Sequence, residues 1–367
     1  MQQPPNILVF GHGAVARERY IPNLEALAAD AAPSIDLRIA CIDKGREGCV
    51  EVDRWWDDPG LDLAAVEKVL VLSPPGAHYD NLRSIAEAYS SRGIPCPELF
   101  LEKPVYLESE SARWTALLDA HPALDVRAFY VDHYRFKAAP AWFDIHGAEV
   151  LAAVGPIEEI AFVSLEKVPF WPSPAFEKGY FLEHACHLLG LFDRTFPGIA
   201  AAEWEPLRRP DWRAWEQADR PGICMRDSAS LSYMKLRGTP HPAFAPDADI
   251  TIIAGKGMED IKVLYLRGGL GTAQIWFNAD EVVVASLGGS RHTVRIAEAD
   301  AHRAVVESIL FAAKRPGMLL PLRDGMAEQE KIIAIRELFP EEGGVYRIGE
   351  IPPEIAAELR RMGLVTR

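Results

Sequence analysis

The sequence predicts an α/β protein that begins with a doubly wound parallel sheet and continues into an α+β domain with a large, mostly antiparallel sheet. Strand-like and helical segments alternate as far as about residue 130, a pattern typical of parallel sheets. From residue 228 to residue 294, strand-like segments follow one another with turns such as GKGMED between them, which indicates antiparallel pairing. The 367 residues also exceed the length that one hydrophobic core supports.

Short buried strands are predicted in the first part of the chain at residues 6–10, 35–42, 69–72, 99–101 and 125–132. Helices are predicted between them, following GHGAVA up to Asp30, following the prolines of SPPGAHYDNLRSIAEAY, and over residues 108–120. The second part begins with a helix over 138–154 and a strand over 157–166, and it continues with strands at 229–236, 249–254, 261–266, 272–277 and 281–286. Helices at 300–314 and 324–338 follow. The predicted domains are therefore 1–130, 131–320, and a C-terminal helix and tail over 321–367 that packs back on the body.

Composition limits the classes of partner. The net charge is −14, which argues against binding the phosphate backbone of a nucleic acid. Apolar stretches are shorter than the ~20 residues of a membrane span, and the N-terminus lacks the features of a signal peptide. The five cysteines are scattered and form no C-x-x-C pair, which favours a reducing, cytoplasmic location. The large apolar sheet predicts a homodimer or homotetramer formed through it.

The segment FGHGAVA places two glycines after the first predicted strand and before the first predicted helix. Glycines there let a pyrophosphate approach the backbone N–H groups of a helix N-terminus, as in a Rossmann-type domain. Ala16 replaces the usual third glycine. Asp43 ends the second strand, where a carboxylate accepts a hydrogen bond from the ribose of NAD, although Lys44 and Arg46 could instead pair with the extra phosphate of NADP. The predicted cofactor is NAD or NADP, with NAD favoured, and the predicted contacts are Gly11, His12, Gly13, Ala14, Val15, Asp43 and Lys44.

Four motifs in order carry a resemblance to a known family: GHGAVARERYIPNL, VLVLSPPGAHYDNLRSIAEA, LFLEKPV and GYFLEHACHLLGLF. Together they resemble the glucose–fructose oxidoreductase / inositol dehydrogenase family (Gfo/Idh/MocA). The resemblance implies an NAD(P)-dependent oxidoreductase acting on a sugar, a cyclic polyol or a sugar derivative. It implies a cis bond before Pro104 and a catalytic Lys103 beside the nicotinamide. Further cofactor contacts implied are Ser73, Pro74, Pro75, His78 and Glu102. Glu183 stands where the family usually has Asp.

A second, shorter resemblance lies in FYVDHYRFKAAP, which is similar to a segment of glucose-6-phosphate dehydrogenase. It implies that Asp132 orients the catalytic histidine, and that His133, Tyr134 and Lys137 line the substrate pocket. The segment lacks the glycine that precedes the lysine there. Trp171, in a loop rich in proline and aromatic residues, and His184 complete the predicted substrate contacts.

The cluster EHACH, in an apolar run, admits three interpretations: a metal site, a proton-transfer site or a buried cluster with satisfied hydrogen bonds. The order and spacing differ from the H-E-x-x-H zinc motif, so no metal is predicted. Histidine titrates near neutral pH and can accept the hydroxyl proton when an alcohol loses hydride. His187 is therefore the predicted base, Asp132 or Glu183 stabilises its imidazolium, and Lys103 stabilises the substrate oxygen. The alternatives are a dinucleotide-binding regulator without turnover, and a hydrolase or lyase that oxidises its substrate transiently.

Overall fold

The structure is a computed structural model. It describes residues 5–31, 35–167, 185–187, 190–191, 194, 196, 204–208, 210–215, 231–238, 243–256, 260–279, 281–286, 288–296, 300–311, 318–337, 341–347 and 350–365. The chain divides into two compact units. The first unit consists of Met1–Phe136 and Asp300–Glu330, and the second of Lys137–Ala299 and Lys331–Arg367.

The strands are β1 (Ile7–Phe10), β2 (Ile39–Ile42), β3 (Lys68–Val71), β4 (Glu98–Glu102), β5 (Ala128–Val131), β6 (Ile157–Glu166), β7 (Trp204–Arg208), β8 (Pro210–Trp215), β9 (Leu231–Gly238), β10 (Phe244–Lys256), β11 (Ile261–Gly268), β12 (Gly271–Trp276), β13 (Glu281–Ser286), β14 (Arg291–Arg295), β15 (Leu320–Pro321) and β16 (Glu341–Arg347). The α-helices are α1 (Ile21–Asp30), α2 (Pro75–Arg92), α3 (Ser111–Ala120), α4 (Pro122–Arg127), α5 (Ala138–Val154), α6 (Ala301–Leu310), α7 (Leu322–Glu337) and α8 (Pro353–Arg361).

The first unit contains a sheet whose strand order, in the described part of the chain, is β15-β5-β4-β3-β1-β2. Strands β1 to β5 pair in parallel, and the short β15 adds an antiparallel edge. The predicted Rossmann-type sheet is confirmed. Because all five parallel strands run the same way, their carboxyl ends lie at one edge of the sheet, where ligands of such folds bind.

Residues 300–311 and 318–330 return to the first unit. Helix α6 places Ala301, Ala304, Val305 and Ile309 in the same core as Leu24 and Leu27 of α1, together with residues of β1 and β4. The sequence predicted that residues 131–320 form one domain. The compact units differ from this predicted domain because the apolar face of α6 packs in the core of the first unit. Sequence order does not show which core an amphipathic helix joins.

Two predicted strands of the first unit are shorter than expected. Strand β2 covers only the last four residues of the predicted span. Residues 125–127, predicted as strand, belong to the short helix α4, which has Pro122 at its first turn, a position that proline favours.

The second unit contains a larger sheet, with the order β14-β13-β12-β11-β6-β10-β9-β8-β16 among the described residues and β7 paired to β9. Strands β6 and β10 pair in parallel, as do β8 and β16, and the other pairs are antiparallel. The predicted mostly antiparallel sheet is confirmed. The sequence missed β7, β8, β14 and β16. Of these, β14 has exposed or half-exposed side chains throughout, so it lacks the apolar alternation that marks a strand.

Helix α8 packs on one face of this sheet. Its Ile355 and Leu359 share a core with Val163 of β6 and Val263 of β11. Arg361 also forms an ion pair with the buried Glu159; burial alone would raise the pKa of this carboxyl, but the hydrogen bonds from Arg361 and Arg267 leave it lowered. The predicted dimer or tetramer was based on an exposed apolar face of this sheet. Helix α8 covers the part of the sheet formed by β6 and β11, so that part does not support the prediction. The oligomeric state stays a prediction.

Among the residues that the structure describes, no helix combines the length and the apolar character needed to cross a membrane.

Candidate functional site

The glycine-rich loop passes directly over the end of β3. Gly11 has a φ of +89°, and a Cβ built on it would lie 2.6 Å from the backbone N and Cα of Ser73. No side chain fits at this separation, and L-residues rarely adopt this backbone conformation. The Gly11 N–H donates to the carbonyl of Ile42 at 2.9 Å, which fixes the loop to β2. Gly11 is therefore required by the close approach of two strand ends.

Gly13 lies at the start of the helical segment that runs through a π-helical turn, Ala16–Tyr20, into α1, and it faces open space. The first helical hydrogen bond runs from the Arg17 N–H to the Gly13 carbonyl at 3.1 Å, and a Cβ on Gly13 would meet no atom of the described chain within 4 Å. Ala14 and Val15 are exposed, whereas Ala16 is fully buried against the sheet, as its place in the motif predicts. The first N–H groups of a helix have no partner within the helix and attract anions. The loop fits a pyrophosphate.

The two glycines give a matched pair of variants. Gly11→Ala is expected to lower the free energy of unfolding by at least about 2 kcal/mol, because the backbone is strained and the new methyl overlaps Ser73. Gly13→Ala is expected to leave this free energy unchanged and to weaken dinucleotide binding about tenfold, since the methyl occupies the space a pyrophosphate needs. Urea denaturation and a calorimetric titration with NAD(H) and NADP(H) measure the two effects. Equal behaviour of the two variants would contradict this assignment.

Asp43 joins the glycine-rich loop to the turn that follows β2. Its carboxylate accepts hydrogen bonds from the backbone N–H groups of His12 and Lys44, each at 2.8 Å. The Arg46 Nε lies 3.1 Å from the same carboxylate, and the Arg46 Nη1 donates to the His12 carbonyl at 2.6 Å. Asp43, the predicted ribose ligand, and Arg46, the alternative partner for the extra phosphate of NADP, thus form an ion pair beside the glycine-rich loop.

His78, a predicted cofactor contact, is enclosed by the protein at the start of α2. The ring has no exposed surface and lies between the carbonyl of Ser73, at 2.7 Å from Nε2, and that of Val105, at 3.2 Å from Nδ1. Burial lowers the pKa of His78 to about 4, so the ring is neutral. His78 thus holds the start of α2 next to the segment after Pro104, and its contact with the cofactor stays a prediction.

Ser73, Pro74 and Pro75 lie at the end of β3, where α2 begins. The Ser73 hydroxyl accepts a hydrogen bond from Asn81 at 2.8 Å, Pro74 is exposed and Pro75 half-buried. A second helix N-terminus therefore opens at the same sheet edge as the glycine-rich loop.

Glu102 and Lys103 lie at the end of β4, and the bond between Lys103 and Pro104 is cis, as the resemblance implied. The buried Glu102 carboxylate accepts from the Lys103 backbone N–H at 2.5 Å and from the Tyr20 hydroxyl at 3.3 Å. Burial raises the pKa of Glu102 to about 7, even though Lys103 acts to lower it. This carboxyl titrates in the physiological range beside the predicted catalytic lysine.

Asp132 and His133 follow β5 at the same edge. Asp132 is 1% exposed and accepts from the Tyr134 N–H at 3.0 Å. The Nδ1 of His133 lies 3.9 Å from the Glu102 carboxylate. The His133 ring also stacks on His302 of α6, with centroids 4.4 Å apart and planes at 21°.

Sequence reasoning missed Tyr20 and His302. The Tyr20 ring contacts the His302 ring edge-on, with centroids 5.9 Å apart. Because Tyr20 donates to Glu102 and His302 stacks on His133, these two side chains cover Glu102 and His133. Tyr20 lies within the GHGAVARERYIPNL motif but was given no role, and His302 belongs to no motif and was predicted to lie in the other domain. A buried tyrosine one turn beyond the glycine-rich loop was the one available signal.

The second unit contains the remaining predicted site residues. His187 is buried, with 5% of its surface exposed. Lys137 lies just before α5 and is half-buried. Glu183, His184 and Trp171 lie outside the described residues. The roles of these residues stay predictions.

Glu102 predicts a pH dependence of stability. Between its ordinary pKa of 4.5 and its folded value of about 7, the folded chain retains a proton that the unfolded chain has lost. The free energy of unfolding therefore declines as the pH rises through this window, by up to about 3 kcal/mol. Glu102→Gln is expected to remove this decline in urea denaturation series, and the exposed Glu67→Gln to retain it. An unchanged slope in Glu102→Gln would show that this carboxyl is ionised throughout.

Comparison with known proteins adds evidence on the fold. No family model matches the sequence, and no curated protein is similar to it at the sequence level. The chain is similar in structure to UDP-N-acetylglucosamine 3-dehydrogenase GnnA from Acidithiobacillus ferrooxidans, with 18% identity and a TM-score of 0.58 over 90% of this chain and 95% of that one. It is also similar to KijD10, a 3-ketoreductase from Actinomadura kijaniata in complex with TDP-benzene and NADP, with 14% identity and a TM-score of 0.62 over 95% and 100% of the two chains.

A third similar structure is aldose-aldose oxidoreductase from Caulobacter crescentus, with 15% identity and a TM-score of 0.61 over 91% of this chain and 97% of that one. At these identities the comparisons establish the fold. The chain shares its two-sheet fold with these solved structures, in agreement with the fold class that the sequence predicted.

Proposed function

We propose that the protein is an NAD(P)-dependent oxidoreductase that transfers hydride between a nicotinamide cofactor and a hydroxyl or keto group of a sugar, a cyclic polyol or a sugar derivative. The observation that carries this proposal is the carboxyl edge of the first sheet. There the open helix start at Gly13, the Asp43 carboxylate and the turn from Glu102 to Pro104 follow the parallel strands β1, β2 and β4 of one sheet. GnnA is a UDP-N-acetylglucosamine dehydrogenase and KijD10 a ketoreductase bound to NADP, which supports the same chemistry here.

The residues at this edge fit a dinucleotide. Gly11, Gly13 and the first turn of the helix would hold the pyrophosphate, and Asp43 the adenosine ribose. When bound, the nicotinamide supplies or accepts the hydride.

Side chains of the protein then carry out the acid–base catalysis. Lys103 donates a hydrogen bond to the substrate oxygen and stabilises the negative charge that develops on it. His187 accepts the hydroxyl proton in the oxidation and returns it in the reduction. Asp132 or Glu183 stabilises the imidazolium of His187, and His133, Tyr134, Lys137, Trp171 and His184 contact the substrate. When its carboxyl is ionised, the buried Glu102 attracts the Lys103 ammonium and keeps it in place.

The preferred dinucleotide is NAD in this proposal, because the Asp43 carboxylate would repel a 2′-phosphate. Asp43→Asn is expected to lower the ratio of kcat/KM for NAD to that for NADP about tenfold or more. The amide keeps an acceptor for the His12 N–H, but it loses the charge and releases Arg46 for the phosphate. Glu47→Gln, an exposed acidic residue of the same turn, is the control and should leave the ratio unchanged. A ratio that is equal in wild type and Asp43→Asn would remove Asp43 from cofactor selection.

The proposal is tested in two stages. Calorimetric titration with NAD(H) and NADP(H) asks whether a dinucleotide binds, and absence of binding would refute the proposal. A screen of sugars, inositols, their phosphates and uronates with both cofactors then follows the absorbance of the reduced nicotinamide. Net formation or loss of reduced cofactor is the expected result. Conversion of substrate without net change would indicate a hydrolase or lyase with transient oxidation, and binding without turnover of any compound would favour a regulator.

A further inference from the structure

Two cysteines outside the proposed mechanism lie side by side at the edge strand of the first sheet. Val50 pairs with Ile42 of β2 in a parallel bridge, the Val50 N–H donates to the Cys41 carbonyl at 2.8 Å, and the Asp43 N–H donates to the Val50 carbonyl at 3.1 Å. One position earlier in this register, Cys41 stands opposite Cys49. Paired backbones lie about 4.8 Å apart, and Cα separations of about 4.4–6.8 Å permit a disulfide.

The two thiols have different surroundings. Both cysteines are half-buried and reduced. Burial raises the pKa of Cys41 to about 11 and also raises that of Cys49, where Arg46 acts to lower it. The Cys49 Sγ also lies 3.4 Å from Nδ1 of His12, so a proton acceptor is in reach.

We propose that Cys41 and Cys49 form a reversible dithiol site that small disulfides, such as oxidised glutathione, convert to an intramolecular disulfide. Cys49, with His12 taking its proton, attacks one sulfur of the oxidant and releases one thiolate. The Cys41 thiol then gives up its proton, and its sulfur attacks the Cys49 sulfur of this mixed disulfide and releases the second thiolate. The two released thiolates take up the two protons, one that left Cys49 by way of His12 and one that left Cys41. Two protein thiols are oxidised, and one small disulfide is reduced to two thiols. The site does not depend on the proposed oxidoreductase function.

The geometry favours an internal disulfide over a lasting mixed one. Cys41 stands opposite Cys49 in the parallel register, so the resolving thiol needs no large movement. The intervening turn has glycines with positive φ at Gly45 and Gly48, where a Cβ would meet no described atom within 4 Å. This turn can therefore adjust while β2 stays paired to β1.

Trypsin gives a direct assay. Lys44 and Arg46 lie between the two cysteines, so digestion separates peptide 39–44 from peptide 47–54 unless a disulfide joins them. After the folded protein is treated with excess oxidised glutathione at mildly alkaline pH, mass spectrometry is expected to find the joined peptides. The intact mass should fall by two hydrogen atoms, and dithiothreitol should restore both. A wild-type protein that shows no joined peptide, or that accumulates glutathione on either cysteine, would overturn the proposal.

Single substitutions distinguish the attacking thiol, Cys49, from the resolving thiol, Cys41. Cys41→Ser is expected to accumulate a glutathione adduct on Cys49, and Cys49→Ser to give neither adduct nor joined peptide. The buried Cys96, replaced by serine, is the matched control and should leave the joined peptide unchanged. His12→Asn should slow formation of the joined peptide without abolishing it. Equal yields of the joined peptide from folded and urea-denatured chain would also contradict a built site, because the register of β2 would then contribute nothing.

Discussion

Replacement of Lys103 by methionine is expected to lower kcat by about 10²- to 10³-fold and to leave the dissociation constant for the dinucleotide nearly unchanged. Methionine retains most of the volume of the lysine stem but has no charge and no hydrogen-bond donor. The side chain follows the buried Glu102 at the end of β4, where the backbone is fixed by a hydrogen bond from the Lys103 N–H to the Val131 carbonyl at 3.2 Å. The loss should therefore be chemical and not structural. Steady-state kinetics and calorimetry measure the two quantities.

Lys235→Met is the matched control for this variant. Lys235 is a partly exposed lysine of the second sheet that forms an ion pair with Asp249 at 3.1 Å, so its replacement removes the same charge away from the proposed chemistry. Its turnover should match wild type. If Lys103→Met retained full kcat, Lys103 would have no part in stabilising the substrate oxygen.

Replacement of His187 by alanine is expected to cut kcat by about 10²- to 10⁴-fold, again with dinucleotide binding nearly unchanged. The proposed base would be lost, so the pH dependence of kcat/KM should lose the limb that reports an imidazole. Added imidazole should restore part of the activity, because it can enter the space that the ring leaves and accept the same proton. This rescue distinguishes a proton-transfer role from a packing role of the buried ring.

His292→Ala, at an exposed position of β14, is the control for histidine removal and should behave as wild type. Turnover of His187→Ala at the wild-type level would exclude this residue as the base. Loss of turnover without rescue by imidazole, together with a lower free energy of unfolding, would identify it as a structural residue.

The sequence predicted the fold class because the periodic signals are local. The helix over 138–154 and the strands over 157–166 and 281–286 agree with the structure at both ends. Each is a continuous segment whose own apolar pattern or flanking turns determine its limits. The sequence patterns did not predict elements whose formation or position depends on tertiary contacts. Strand β14 is paired without an apolar face, and α6 joins a core built from residues more than 160 positions earlier in the chain.

The candidate site shows the same division between local and long-range information. The motifs located Gly11, Asp43, Glu102 and Asp132 at strand ends, because such positions are marked by short-range patterns of glycine, proline and charge. They did not show that Arg46 pairs with Asp43. Nor could they show that His302 stacks on His133, since that contact joins segments that are distant along the chain. Nor do they reveal that His78 is fully buried.

The return of α6 and β15 to the first unit has a practical consequence for protein engineering. A fragment truncated after Phe136 would lack the helix whose Val305, Val306 and Ile309 complete its core, and it would expose that apolar surface to solvent. Such a fragment should aggregate when expressed alone. A chain in which a flexible glycine–serine tether replaces residues 137–299 would instead supply the missing helix and yield a minimal form of the first unit.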